Sequence, residues 1–302
     1  MKSPKWVVGM VLCGLTAGLL AFVFWNAPEW YNEWLLRQQR PEPSVSTGEL
    51  TQQEDEPAEP ETAELEPEAQ QPAEEEGPSE EELEAARIEA EQRERFADLL
   101  ARNPDVVGWI TIDGTDVDLP LMQTTDNDFY LHHDLDGNYD NAGLPFVDYE
   151  CDIRDGRHLI IYGHHMASRF NDLAEYYDPD YYVEHPVIQL DTLYESTLYK
   201  VVAVYAVTAR TEDADYFPFN TYVDFDTDAE EQIYLDEIEQ RAFYTTGDYV
   251  RADERLLSLC TCTYQMADAR LIVMARPLRE GESAEADEVT VNPDPLTPAR
   301  WP

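Results

Sequence analysis

The sequence predicts a mostly β domain with α insertions, folded as a closed or nearly closed barrel. Three observations point there: eight short apolar or alternating runs, turn residues between them, and a single clear helix interrupting them. The runs occupy residues 108–112, 117–122, 144–148, 158–163, 187–190, 197–207, 255–262 and 270–276. They are rich in Val, Ile, Leu and Tyr, and Asp, Asn, Gly and Pro divide them. The helix opens at the capping pattern Thr227-x-x-Glu230. Leu235, Ile238 and Ala242 line one of its faces, and Gly247 follows its end.

The segments before the barrel read in order. Residues 1–5 carry Lys2 and Lys5, and residues 6–25 are almost unbroken apolar sequence. Twenty residues at about 1.5 Å each span roughly 30 Å, the hydrocarbon core of a bilayer. The basic flank makes residues 1–5 cytoplasmic and puts everything after Trp25 outside. A cleaved signal peptide is the alternative. The length of the run and the anchor-like Trp25, Trp30 and Trp34 favour an uncleaved transmembrane anchor. Residues 26–78 follow as an acidic spacer, with no Lys or Arg between Arg40 and Arg87. Like charge and low hydrophobicity predict disorder there. Ser79-x-x-Glu82 is a capping box that opens a helix to about residue 101, with Leu83, Ile88, Phe96, Leu99 and Leu100 on its apolar side. The folded domain covers residues 79–278. Residues 279–302 return to Glu, Pro and Asp and read as a frayed tail.

Lys and Arg total 20 against 64 Asp and Glu, a formal charge of -44. That field argues against nucleic-acid binding, which needs clustered cations. Of four cysteines, Cys13 lies in the apolar run, leaving Cys151, Cys260 and Cys262. An odd number outside the membrane implies no complete disulfide framework, and an unpaired exported thiol needs a reason.

One reason is chemistry. Residues 255–276 form a hairpin in which Cys262 ends one strand and Arg270 opens the next. Cross-strand proximity would let a guanidinium stabilise a thiolate or a developing oxyanion. A buried, inert cysteine beside a surface arginine fits the hairpin equally well. His164 ends the run 158–163 after Gly163, which would let the backbone turn and present the imidazole at a rim. Cys, His and Arg at three strand ends supply nucleophile, proton carrier and electrostatic stabiliser.

Ser258-Leu-Cys-Thr-Cys262 resembles the sortase signature Thr-Leu-x-Thr-Cys, with Ser for the leading Thr. Arg270, eight residues on, matches the class B pattern, and Tyr162-Gly-His164 resembles the family's catalytic-histidine strand. Asn103-Pro-Asp-Val-Val-Gly-Trp-Ile, Asp126-Asn-Asp-Phe-Tyr-Leu-His-His-Asp and Ala142-Gly-Leu-Pro-Phe-Val-Asp are similar to class B segments. The resemblance covers residues 99–278 or so. It implies an eight-stranded sortase-type barrel with an N-terminal helix and a helix before the cysteine strand. It implies a membrane-anchored cysteine transpeptidase in which Cys262 attacks the Thr carbonyl of a sorting signal, LPxTG-like or NPxTN-like, on an exported protein. Arg270 would hold the oxyanion and His164 would protonate the leaving amine. A peptidoglycan or pilin amine would resolve the thioacyl enzyme, with no cofactor and no metal. Asn127, Tyr162 and Thr261 match positions near the substrate groove.

His165 stands where the family often has Asn, and competes with His164 for the catalytic role. Cys260 fills the variable slot on the same strand face as Cys262, too close in sequence for a comfortable disulfide. A zinc site from Cys260, Cys262, His164 and His165 lacks the spacing that wraps a metal. Residues 134–140 have calcium-loop composition without the closing Glu. The competing functions are a cysteine peptidase using water, and a non-catalytic wall-binding barrel.

Overall fold

The structure, a computed structural model, describes residues 34, 36–41, 78–247 and 249–302. Residues 1–40 and 41–302 form two separate units. The expected membrane span at 6–25, and nearly all of the spacer at 26–78, lie outside the described residues. Among the described residues, no helix is long and apolar enough to cross a membrane.

The second unit holds ten strands: β1 Val106–Thr111, β2 Asp118–Met122, β3 Phe146–Val147, β4 His158–Tyr162, β5 Val187–Thr192, β6 Ser196–Thr208, β7 Tyr244–Thr246, β8 Leu256–Cys262, β9 Ala269–Pro277 and β10 Val289–Val291. Their order is β10-β7-β6-β5-β1-β2-β3-β4-β8-β9, and β9 pairs back onto β6. Eight strands thereby close into the barrel the sequence predicts. The long β6 makes closure possible, because it pairs with β5 in its first half, β7 in its second, and β9 along most of its length. Full closure leaves no free edge among those eight strands. The interior is apolar: Leu159, Ile161, Val204, Leu257, Leu259 and Val273 are all fully buried.

The helices are α1 Glu80–Arg95, α2 Ala97–Arg102, α3 Pro179–Glu184 and α4 Asp228–Arg241. Both arms of the Ser79/Glu82 capping box form. The single predicted helix is broken at Phe96, whose fully buried ring anchors the junction. The predicted apolar side is buried only there, at Phe96 and Leu99. Leu83 is exposed, and Arg87 and Arg93 pair with glutamates along a solvated face instead. The Thr227 hydroxyl accepts from the Glu230 amide and starts α4, with Leu235, Ile238 and Ala242 fully buried. This helix ends at Arg241, before the short strand β7, and Gly247 closes that strand rather than the helix.

The expected frayed tail is docked. β10 pairs with β7, and the amides of Asn292 and Leu296 donate to the carbonyls of Phe243 and Gln240. Composition misled here because the charges of this segment have buried partners. Lys200 and Arg276 face each other across β6 and β9, each almost fully buried. Two cations side by side repel unless neutralised. Glu282 takes Arg276 through two hydrogen bonds of 2.7 and 2.6 Å, and Asp287 pairs with Lys200 at 2.8 Å. A chain with acidic excess supplies carboxylates where the barrel buries cations.

Arg276 and Lys200 hold the Glu282 carboxyl down at about 2, against an ordinary 4.5. A lowered folded value stabilises the fold above the ordinary value, and that stability is lost as pH falls toward the folded value. We therefore expect acid to remove at most roughly 3 kcal/mol through this group. Urea unfolding from about pH 5 down to about pH 2 should show Glu282→Gln losing less stability than the parent chain.

Candidate active site

β4 and β8 run parallel, with His158 opposite Leu256 and Tyr162 opposite Cys260. Parallel strands end on the same side, so the residues that leave β4 sit beside the end of β8. Two contacts extend the ladder past its last pair. The Gly163 amide donates to the Cys260 carbonyl at 3.1 Å, and the Thr261 hydroxyl donates to the Gly163 carbonyl at 2.8 Å. On the other side β9 runs antiparallel, with Arg270 directly opposite Cys262. His164, Cys262 and Arg270 therefore occupy three neighbouring strand ends, with strands about 4.8 Å apart.

A cavity of about 380 Å³ collects them. Its lining includes Cys262, His164, Arg270, Asn127, Tyr162 and Thr261, all six residues expected at the site. Leu131, Phe146, Gly163, Asn220 and Cys260 complete it.

Gly163 serves a different purpose from the expected turn. It is not among the glycines at positive φ, and a Cβ there would lie 2.6 Å from the Phe170 ring. Glycine is needed for close approach. Phe170 in turn caps the His164 carbonyl through its amide at 3.0 Å, which fixes the backbone after the strand.

The His164 Nε2 lies 2.9 Å from the Leu131 carbonyl oxygen. A carbonyl only accepts, so Nε2 carries a proton and Nδ1 is the nitrogen left for proton exchange. His165 points elsewhere. Its Nδ1 donates to the Cys262 carbonyl at 2.9 Å, and its ring packs 4.3 Å from that of Tyr264. It does not line the cavity, which removes it as the geometric rival of His164.

The cysteines separate by burial. Cys260 is 2% exposed, and desolvation pushes its thiol up to about 12 despite the nearby Arg270. Cys151 is likewise buried and pushed up to about 12. Cys262, at the strand end, is only half-buried. All three are free thiols.

Asp148 is a residue that sequence reasoning passed over. It is 1% exposed, and its Oδ2 accepts from the Tyr162 hydroxyl at 2.7 Å and the Asn127 amide at 2.9 Å. Burial, with Cys260 and Asp148 nearby, raises the Tyr162 phenol well above its ordinary range, so it stays a donor. Asn220, from the turn Phe219–Thr221, lines the cavity beside Tyr162. Asn127 is held at its other end by the Tyr149 amide at 3.0 Å. The Thr261 hydroxyl is directed at Gly163, so it ties strands together beside the cavity. The signal for Asp148 was an acid ending the apolar run 144–148. Asn220 had none beyond its place in a loop.

Ser258, the departure from the signature, also has a role. His158 donates Nδ1–H to the Tyr222 carbonyl at 2.6 Å and accepts from the Ser258 hydroxyl at 2.8 Å. Burial pushes this imidazole down to about 4, so it is a neutral clamp within the β4–β8 ladder. In the loop 134–140, Asp134 accepts from the amides of Asp136 and Asn138, while Asp136 pairs with Arg102. Among the described residues, no group of three or more His, Cys, Asp or Glu is arranged to hold a metal ion.

Removing Asp148 would leave the Tyr162 hydroxyl and the Asn127 amide short of an acceptor. We expect Asp148→Ala to cost about 2 kcal/mol of stability. Urea unfolding checks the value, and Asp148→Asn should recover part of the loss.

The sortase-domain family model matches residues 110–278. Sortase B of Listeria monocytogenes is 35% identical over 179 residues, spanning 58% of this chain and 70% of the relative. The structure of Clostridium perfringens sortase B superposes with a TM-score of 0.56 at 26% identity, covering 61% of this chain and 99% of that one. A Staphylococcus aureus sortase B–substrate complex gives 0.56 at 27% identity, covering 66% and 98%. With its barrel, its signature cysteine strand and these relatives, the chain belongs to the sortase family, as a class B sortase, and is a cysteine transpeptidase.

Proposed function

We propose that Cys262 is the nucleophile, His164 the proton carrier and Arg270 the oxyanion stabiliser of this transpeptidase. The observation that carries the reading is their convergence on one cavity from three adjoining strand ends. The Cys262 thiol gives its proton to His164 Nδ1 as sulfur attacks the Thr carbonyl of a sorting signal. The oxyanion forms toward Arg270, whose guanidinium holds it without a metal. Collapse of the tetrahedral intermediate breaks the peptide bond, and His164 returns the proton to the leaving amine. An acceptor amine then attacks the thioester, its proton passes to His164, and Cys262 is released.

Sorting signals of the LPxTG-like or NPxTN-like kind on exported proteins are the donors in this reading. A peptidoglycan or pilin amine is the acceptor. Asn127 and Tyr162, fixed by Asp148, form the wall against which the signal lies. A second cavity of about 200 Å³ shares Tyr162, Cys260, Asn220 and Arg270 with the first and is walled by Tyr216, Phe217 and Phe219. Its aromatic character suits an apolar residue of the signal. That a solved structure of Staphylococcus aureus sortase B is a substrate complex supports substrate binding by a domain of this fold. Residues 6–25 anchor the chain in the membrane with residues 1–5 inside, and residues 26–78 carry the catalytic domain outward into the cell envelope.

Incubating the protein with sorting-signal peptides tests this directly. Cleavage should be lost by at least about a thousandfold in Cys262→Ala. His164→Ala and Arg270→Ala should each lose on the order of a hundredfold or more. Added triglycine should yield ligated product. Cleavage without ligation under any amine would favour the peptidase reading.

A further inference from the structure

The residues after 278 lie outside the segment that the sortase family model matches, yet they pair with the far edge of the sheet and continue beyond it. β10 fixes the start of this strap against β7. Its end reaches the loop after β6. The Ala299 amide donates to Asp215 Oδ2 at 2.5 Å, and the Arg300 guanidinium pairs with Asp213 Oδ2 at 3.0 Å. The Trp301 ring rests 5.6 Å from Phe243 and 6.2 Å from Tyr177, which seats the strap's last turn.

Asp213 is a junction. The same carboxylate oxygen accepts from the Thr208 hydroxyl at 2.9 Å, at the end of β6, and its carbonyl accepts from the Tyr216 amide at 3.1 Å. Thr208 and Tyr216 both line the aromatic cavity beside Arg270. Arg300 therefore grips the residue from which that cavity's wall is hung. These charge-assisted bonds hold the Asp213 carboxyl below its ordinary value.

We infer that the C-terminal strap, through Arg300 on Asp213, positions the aromatic loop that receives the donor signal and so sets donor affinity. Arg300 is a positioning residue: it lines neither cavity and acts through Asp213. The inference rests on the proposed use of this cleft by a sorting signal. A loop of this kind with one less tether samples more conformations, and the binding-competent fraction falls.

Steady-state kinetics on the full chain, with a sorting-signal peptide and saturating triglycine, separate the outcomes. Arg300→Ala should raise donor KM about fivefold, the upper range for a partly exposed ion pair, with kcat within about twofold. Arg300→Lys should restore most of the loss. An unchanged donor KM overturns the inference while leaving the proposed function standing. A parallel fall in kcat and thermal stability, with no KM effect and no rescue by Lys, also overturns it in favour of a purely structural strap. A parent protein that cleaves no sorting peptide at all overturns the proposed function, and this role with it.

Discussion

The parallel ladder between β4 and β8 is the constraint on which the site depends. It fixes the end of one strand beside the end of the other, so that Gly163-His164 emerge next to Thr261-Cys262. Side chains alternate across a strand, and a slip of one residue would move every β8 side chain, Cys262 included, to the opposite face. The register is guarded at several points. His158 and Ser258 clamp the ladder on the face opposite the apolar interior, while the Thr261 hydroxyl and the Gly163 amide extend it past the last pair. β9 then completes the site, because the antiparallel hairpin leaves Arg270 no position except opposite Cys262.

The environment around this frame divides labour among similar groups. Two histidines follow one another, and the backbone turn that Phe170 enforces sends one ring to the cavity and the other toward Tyr264. Two cysteines share a strand face, and two residues of extra depth turn Cys260 into a buried, protonated wall element. The fold thus selects among candidates that composition leaves equivalent. Asp148 does the same for polar groups, since one buried carboxylate orients both Asn127 and Tyr162.

Much of this was legible in the sequence, because local pattern and strand periodicity carry it. The eight barrel strands, the Thr227 cap, the Ser79 capping box and the Cys262–Arg270 hairpin all follow from short-range rules. What was not legible depends on distant partners. The three-residue strands β7 and β10 have too little sequence to show a period, and they exist because they pair with each other and with β6. The tail's acidity reads as disorder until the buried Lys200 and Arg276 are brought together across β6 and β9. The sequence favours His164, which alone follows Tyr162-Gly163, but what physically separates it from His165 is which carbonyl each ring meets, and that depends on residues far along the chain. Gly163 was noticed for the wrong reason, as the crowding by Phe170 comes from a residue beyond the strand.

The account turns on Cys262 as the residue that becomes acylated, with Cys260 excluded by depth alone. Trapping the intermediate tests this most directly. The protein would be incubated with a sorting-signal peptide in the absence of amine, quenched in acid, digested and mapped by mass spectrometry. The account requires the thioester on Cys262, carrying the N-terminal part of the peptide through its Thr. An acyl group on Cys260, or peptide cleavage that persists in Cys262→Ala, would contradict it.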